Sequence, residues 1–159
     1  MFQKPALSFF HPAALLATWF GCGLARVAPG TVGSLAALPC AAGLWLLGGA
    51  WLLGSALVLV FLAGLWASAR YAGAAGGGDP GAVVIDEVAG QWLALVLLPA
   101  DPRAYVLAFV LFRLFDIAKP WPIGWPDRTF EGGLGIMLDD LLAGLYAAGS
   151  GYGLWLWIG

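Results

Sequence analysis

Residues 35–69, "LAALPCAAGLWLLGGAWLLG" followed by "SALVLVFLAGLWASA", contain no charged side chain. At about 1.5 Å per helical residue the run is too long for one crossing of a hydrocarbon layer about 30 Å thick. It predicts two helices turned at "GGAW", residues 48–51. Each arm is short, so the spans are expected to thin the bilayer locally. Composition agrees: the chain is 62% hydrophobic and 10% charged, with a mean hydropathy of +0.89, where a soluble domain carries about 25% charged residues. The expectation is an all-α, polytopic integral membrane helical bundle with short helical hairpins, forming a single membrane-embedded domain over 1–159. A net charge of −2 argues against a nucleic-acid partner. Cys22 and Cys40 lie in apolar surroundings and read as small buried hydrophobes without a disulfide. The start "MFQKPALSFFHPAALLATWF" has one Lys and no convincing cleavage site, so no cleavable signal peptide is expected.

The rest of the chain divides at its Gly and Pro residues. A Gly-rich loop, "YAGAAGGGDPGA" (71–82), precedes "VVIDEVAGQWLALVLLP" (83–99), which reads as a helix with acids in its first turn. "ADPR" turns the chain, and "AYVLAFVLFRLFDIAKP" (104–120) reads as the returning helix, ended by Pro120. A Pro- and Trp-rich loop leads to a final helix from about Gly135 to the C-terminus. Residues 13–25 are apolar but too few for an ordinary span, which suits an interfacial or re-entrant segment. Trp51, Trp121, Trp125, Trp155 and Trp157 near helix ends suit interfacial belts.

On this topology Lys4, Arg26, Arg70, Arg113, Lys119 and Arg128 fall on one side and only Arg103 on the other. Basic loop residues are retained in the cytoplasm, so the first side is expected to be cytoplasmic. Asp79, Asp86, Glu87, Asp116, Asp127, Glu131, Asp139 and Asp140 gather there too, with Asp101 alone opposite.

Three acidic positions are built into helices: Asp86-Glu87, Asp116 and Asp139-Asp140. Carboxylates at membrane depth are costly and face a partner or a wet cavity. Several converging without a cation repel one another, and a hard divalent ion with oxygen ligands removes that conflict. Simpler roles exist for each. Asp86 suits a cap and Glu87 the helix dipole. Asp116 suits an i,i+3 pair with Arg113, although it lies near a helix C-terminus where the dipole disfavours an anion. Arg113, Lys119 and Arg128 flank a rigid Pro-rich turn; they suit phosphate oxygens or, more simply, topology and snorkelling. In "APGTVGS" (28–34), Gly30 and Gly33 let backbone approach a ligand, and Thr31 or Ser34 suits a cap of the following helix. A helix start with free N–H groups is an anion site, though such sequences cap many helices. No Walker A loop, dinucleotide fingerprint, Ser-His-Asp set or Cys phosphatase loop is present, and His11 reads as interfacial. The residues therefore describe a metal-assisted reaction on a phosphate near the headgroup region.

"APGTVGSLAALP", "VVIDEVAGQW" and above all "FRLFDIAKPWPIGWPDR" with "EGGLGIMLDDLLAG" resemble the phosphatidylglycerophosphatase A family of bacterial membrane lipid phosphatases, from about residue 20 to 145. The resemblance implies Mg²⁺-dependent removal of the terminal phosphate of phosphatidylglycerophosphate, giving phosphatidylglycerol. It also implies an all-helical fold in the bacterial cytoplasmic (inner) membrane, with a multi-pass topology and the site facing the cytoplasm. Its motif positions here include Gly30, Thr31, Ser34, Asp86, Glu87, Gly90, Arg113, Asp116, Lys119, Asp127, Arg128, Asp139 and Asp140.

The resulting expectation is that Asp86, Glu87, Asp139 and Asp140, with Asp116 as an addition, hold one or two Mg²⁺ ions and carry catalysis. Arg113, Lys119 and Arg128 hold the phosphate, helped by Gly30, Thr31 and Ser34. The apolar helices hold the diacylglycerol part of the phospholipid substrate. A small cation- or proton-coupled transporter would also use intramembrane acids, but these cluster toward one face. A CDP-alcohol phosphotransferase needs a longer aspartate series with an interposed Ala-Arg, which "IDEVAG" and "LDDLLAG" do not supply. The density of paired acids and bases argues against a non-catalytic assembly subunit.

Overall fold

The computed structural model describes residues 7–159, and among these every regular element is helical. Lys4, assigned above to the cytoplasmic side, lies outside the described residues. The helices are α1 (Pro12–Ala17), α2 (Pro29–Ala74), α3 (Ile85–Leu95), α4 (Pro102–Ala118), α5 (Trp125–Thr129) and α6 (Gly132–Ile158), with a 3₁₀ turn at Cys22–Leu24 between α1 and α2.

The apolar run does fold back on itself. Gly49 breaks α2 with φ 66°, ψ −158°, a region open almost only to glycine. The arms 29–48 and 50–74 both pack against α3, and the second also meets α6. On the first arm, the Trp92 indole N–H donates to the Ala37 carbonyl at 2.9 Å. On the second, a Cβ added to Gly64 would stand 2.5 Å from Met137 Cε and 3.6 Å from Ile85 Cδ1. The arms are longer than expected. Pro29, whose ring presets helical φ, starts the helix inside the "PGT" motif rather than after it, and the second arm runs on through Arg70 to Ala74. The first arm is about 30 Å long, so it needs no thinned bilayer.

α3 is the centre of the bundle. Ile85, Val88, Ala89, Trp92, Ala94 and Leu95 are all buried, against both arms of α2, α4 and α6. It ends at Leu95 rather than Pro99; residues 96–98 form turns before Asp101 caps α4 through a 2.8 Å bond from the Arg103 N–H. α4 buries Ala104, Tyr105, Ala108, Phe112 and Asp116, and shows Val106, Val110, Leu114 and Ile117 on its other face. Leu46, Leu47, Trp51, Leu59, Leu156 and Trp157 extend that exposed apolar surface, far beyond what water tolerates. Among the described residues two helices, α2 and α6, are long and apolar enough to cross a membrane. α1 is a six-residue helix, about 9 Å long, too short to cross. His11 accepts a 3.1 Å bond from the Ala13 N–H and so caps α1. No disulfide forms; Cys22 is half-buried and Cys40, expected to be buried, is exposed on the apolar face.

Candidate metal and phosphate site

One backbone contact sets the site. A Cβ on Gly144 of α6 would stand 2.4 Å from the Gly90 carbonyl of α3, and one on Gly90 would stand 2.5 Å from the Asp140 carbonyl and 2.5 Å from Phe112 Cε2. Only glycine fits at either position. Four residues before each glycine, one helical turn, stand Asp86 and Asp140, within the matching strings "DEVAG" and "DLLAG". One turn beyond Phe112, on the antiparallel α4, stands Asp116. Three helices thus deliver acids to one level of the bundle.

Ligand oxygens of Asp86, Glu87 and Asp140 lie within 4.8 Å of one another. Asp86 and Asp140 are 5% and 2% exposed. Asp86 Oδ1, Glu87 Oε2 and Asp140 Oδ2 are buried without a hydrogen-bond partner. Unpaired buried carboxylate oxygens are costly, and three of them converging form a hard, all-oxygen donor set that fits a cation such as Mg²⁺. Asp116 adjoins Asp140 and is ion-paired with Arg113.

Asp139 has a different place. It is turned to Lys119 and pairs with its ammonium, because neighbouring helical residues point about 100° apart. Lys119 sits just beyond α4 with φ 44°, a left-handed cap that swings the chain toward α6. Burial works against its charge, but the hydrogen bond it donates to Asp139 and the nearby Asp140 and Asp116 more than offset this and hold the ammonium above the usual lysine range.

The start of α2 closes the pocket. A Cβ on Gly30 would lie 2.6 Å from Glu87 Oε1 and 3.4 Å from Arg113 Nη1, so acid and base both press on this glycine. Arg113 Nε is buried and unpartnered. Thr31 and Ser34 do not cap this helix: Ala28 is the N-cap, and both residues lie inside the helix. Ser34 Oγ is fully buried and unpartnered a turn deeper. Arg128 stays outside the cluster, exposed on α5, where its Nε donates to the Gly124 carbonyl at 3.3 Å.

Two features escaped the sequence reading. Gln91, four residues beyond Glu87, is fully buried with both amide atoms unpartnered; a lone amide amid apolar residues was the available signal. The Gly-rich loop (71–82) borders a cavity of about 540 Å³ together with Asp79, Asp127 and Glu131. Partial loss of water, with Glu87 and Asp127 adding repulsion, pushes the Asp79 carboxyl up to about 6.

The chain matches the family described as phosphatidylglycerophosphatase A over residues 15–155. It is 42% identical to the phosphatidylglycerophosphatase A of Escherichia coli K12 over 94% of this chain and 87% of that protein. It is 39% identical to the protein of that name from Haemophilus influenzae Rd, over 96% of this chain and 94% of that one. A Bacteroides thetaiotaomicron protein provisionally named phosphatidylinositol-3-phosphatase is 40% identical over 84% of this chain and 87% of its own length. No solved structure matches the chain. With the family match spanning nearly every helix that builds the site, the chain belongs to the phosphatidylglycerophosphatase A family.

Proposed function

We propose that this protein hydrolyses the terminal phosphate monoester of phosphatidylglycerophosphate, with water, to phosphatidylglycerol and inorganic phosphate. The observation that carries this reading is the convergence of Asp86, Glu87 and Asp140, with unpaired oxygens, beside Arg113 and Lys119 in a chain of this family.

In this reading Asp86, Glu87 and Asp140 hold Mg²⁺. When bound, such an ion supplies Lewis-acid polarisation of phosphate oxygens and eases formation of hydroxide from water. The chain's own groups do the rest. Arg113, with its free Nε, and the Lys119 ammonium hold phosphate oxygens and stabilise charge that builds in transfer. Asp116 orients Arg113 and Asp139 orients Lys119. Gly30 keeps the wall of the pocket thin, and the first N–H groups of α2, with Thr31, add donors at a helix start. Ser34 lies beneath as support. Arg128 draws the anion in from the exposed rim.

The multi-pass topology belongs to the same proposal: both arms of α2, the α3–α4 pair and α6 lie in the inner membrane, and the acidic end faces the cytoplasm. Arg26, Arg70, Arg113, Lys119 and Arg128 at that end support this. The acids lie at one end of the bundle and not at mid-depth, which does not suit a transport relay.

Phosphate release from phosphatidylglycerophosphate by the purified protein in detergent is the test, with phosphatidylinositol 3-phosphate as the comparison substrate. Release that requires Mg²⁺, stops with EDTA and returns on readdition is expected. No release from phosphatidylglycerophosphate with Mg²⁺ present removes the reading.

A further inference from the structure

The phosphate-handling end of the bundle continues into an apolar groove that the site described above does not use. A cavity of about 460 Å³ runs along the outside of the bundle between the end of α4 and α6, lined by Phe115, Pro122, Leu142, Tyr146, Gly149 and Ser150, with Leu145 at its edge. Its position relative to the ion pair is fixed by helical spacing. On α6, residues 139, 142, 146 and 149/150 recur every three or four positions and share one face. Asp139 is therefore the first residue of the stripe that floors the groove. On the other wall, Phe115 and Pro122 bracket Lys119, the partner of Asp139. The groove thus starts one helical turn from Asp139, at Leu142, and runs away from the acids, about 12 Å from Leu142 to Ser150.

The lining suits a hydrocarbon chain. The Ser150 hydroxyl donates to the Tyr146 carbonyl at 2.7 Å, so it offers the groove no free polar group. The Phe115 and Tyr146 rings, 5.6 Å between centroids, form one wall. Gly149 supplies the hollow: a Cβ there would meet nothing within 4 Å, so no packing need explains the missing side chain.

We propose that this groove is an acyl-chain subsite, which holds one fatty acyl chain of the phospholipid whose phosphate sits against Lys119 and Arg113. The inference rests on the lipid phosphatase reading. The chain enters from a bilayer in which it is already surrounded by hydrocarbon, so the groove adds little affinity from apolar burial. Its effect is orientation: it fixes the lipid about its long axis and holds the phosphoester in register with the cations. An acyl chain is the occupant because the groove begins one helical turn from the Lys119–Asp139 pair, where the proposed function sets the phosphate, and leads along α6 away from it, as the chains of a phospholipid do.

Gly149→Phe fills the groove without touching the acids or bases, and Ser150→Leu fills it from the next residue. Each variant is assayed with long-chain dioleoyl phosphatidylglycerophosphate and with the short-chain dibutyryl analogue. Val106→Phe, on the opposite exposed face of α4, is the control. The expected result is a fall of tenfold or more in kcat/KM for the long-chain lipid in both groove variants. The short-chain analogue stays within twofold, which also shows that the variants are folded, and Val106→Phe changes neither substrate. Equal loss on both substrates, or no loss on either, overturns the subsite. A shift in oligomeric state by light scattering without chain-length discrimination assigns the groove to a second copy of the chain and likewise overturns it. If the wild-type protein releases phosphate from neither lipid, it is the phosphatase reading that fails.

Discussion

Asp140 turns toward Asp86 and Glu87 while Asp139, the next residue in the chain, turns toward Lys119. The tandem pair in "LDD" marks both as candidates, but a string of letters does not say which way each points, so the sequence alone groups all four acids as ligands. The two residues are expected to behave differently on substitution. Asp140→Asn lowers kcat by about 100-fold or more, and added Mg²⁺ at high concentration recovers part of it. Asp139→Asn leaves Mg²⁺ dependence unchanged and raises KM, because it frees the Lys119 head to which the proposal gives the phosphate. Combining Asp139→Asn with Lys119→Met then costs less than the sum of the single changes, as expected for paired groups. Kinetics with a Mg²⁺ titration of the three variants check this. Asp79 gives a pH prediction. Its folded-state value of about 6 lies above its ordinary 3.8, so the folded state binds this proton more tightly than the unfolded chain, and the group's contribution to stability is lost as pH rises from about 4 to 6. Asp79→Asn is expected to gain in thermal midpoint relative to wild type across that window and to keep the gain at pH 7. Parallel melting curves in detergent at pH 4.5 and pH 7 measure it.

At the scale of elements, the helices announced by apolar runs and Pro punctuation were legible: 104–120 is found as 102–118, and the turn at 48–51 is found at Gly49. Starts and ends were less so. Pro29 opens α2 earlier than a cap at Thr31 or Ser34 would, since a proline needs no N–H partner at a first turn. What no periodicity reveals is which helix lies on which. Gly90 was visible as a motif residue; Gly144 ends a matching string, but its role exists only because α3 crosses it, which the string does not say. Gly144→Ala forces a Cβ against the Gly90 carbonyl and is expected to cost about 1–3 kcal/mol, with a larger fractional loss of activity than of stability because Asp86 and Asp140 are pushed apart. Thermal melting and phosphate release on the same sample separate the two. Gly49→Ala is a contrasting case. A Cβ there meets nothing within 4 Å, so its cost of about 1–3 kcal/mol is backbone strain alone, and the surviving folded protein keeps wild-type kcat.

Over the whole molecule, the exposed apolar surface and the sorting of charge agree on one placement. Trp51 and Trp157, 89% and 90% exposed, mark one end, and Trp121, 80% exposed, marks the other. Arg103 lies 5.5 Å over the Trp155 ring at the first of these ends, remote from the acids. In a background with Cys22 and Cys40 replaced by Ser, a membrane-impermeant maleimide applied to intact cells is expected to label Trp51→Cys and to spare Thr129→Cys until the cells are opened. The reverse pattern inverts the molecule and puts the site on the wrong face.

Where Gly90 meets Gly144, two main chains touch with no side chain between them. A joint of that kind has nothing to melt or reshuffle when the surrounding lipid becomes more fluid, thicker or more saturated. The distance between its anions is therefore insulated from the physical state of the membrane whose composition the protein helps to determine.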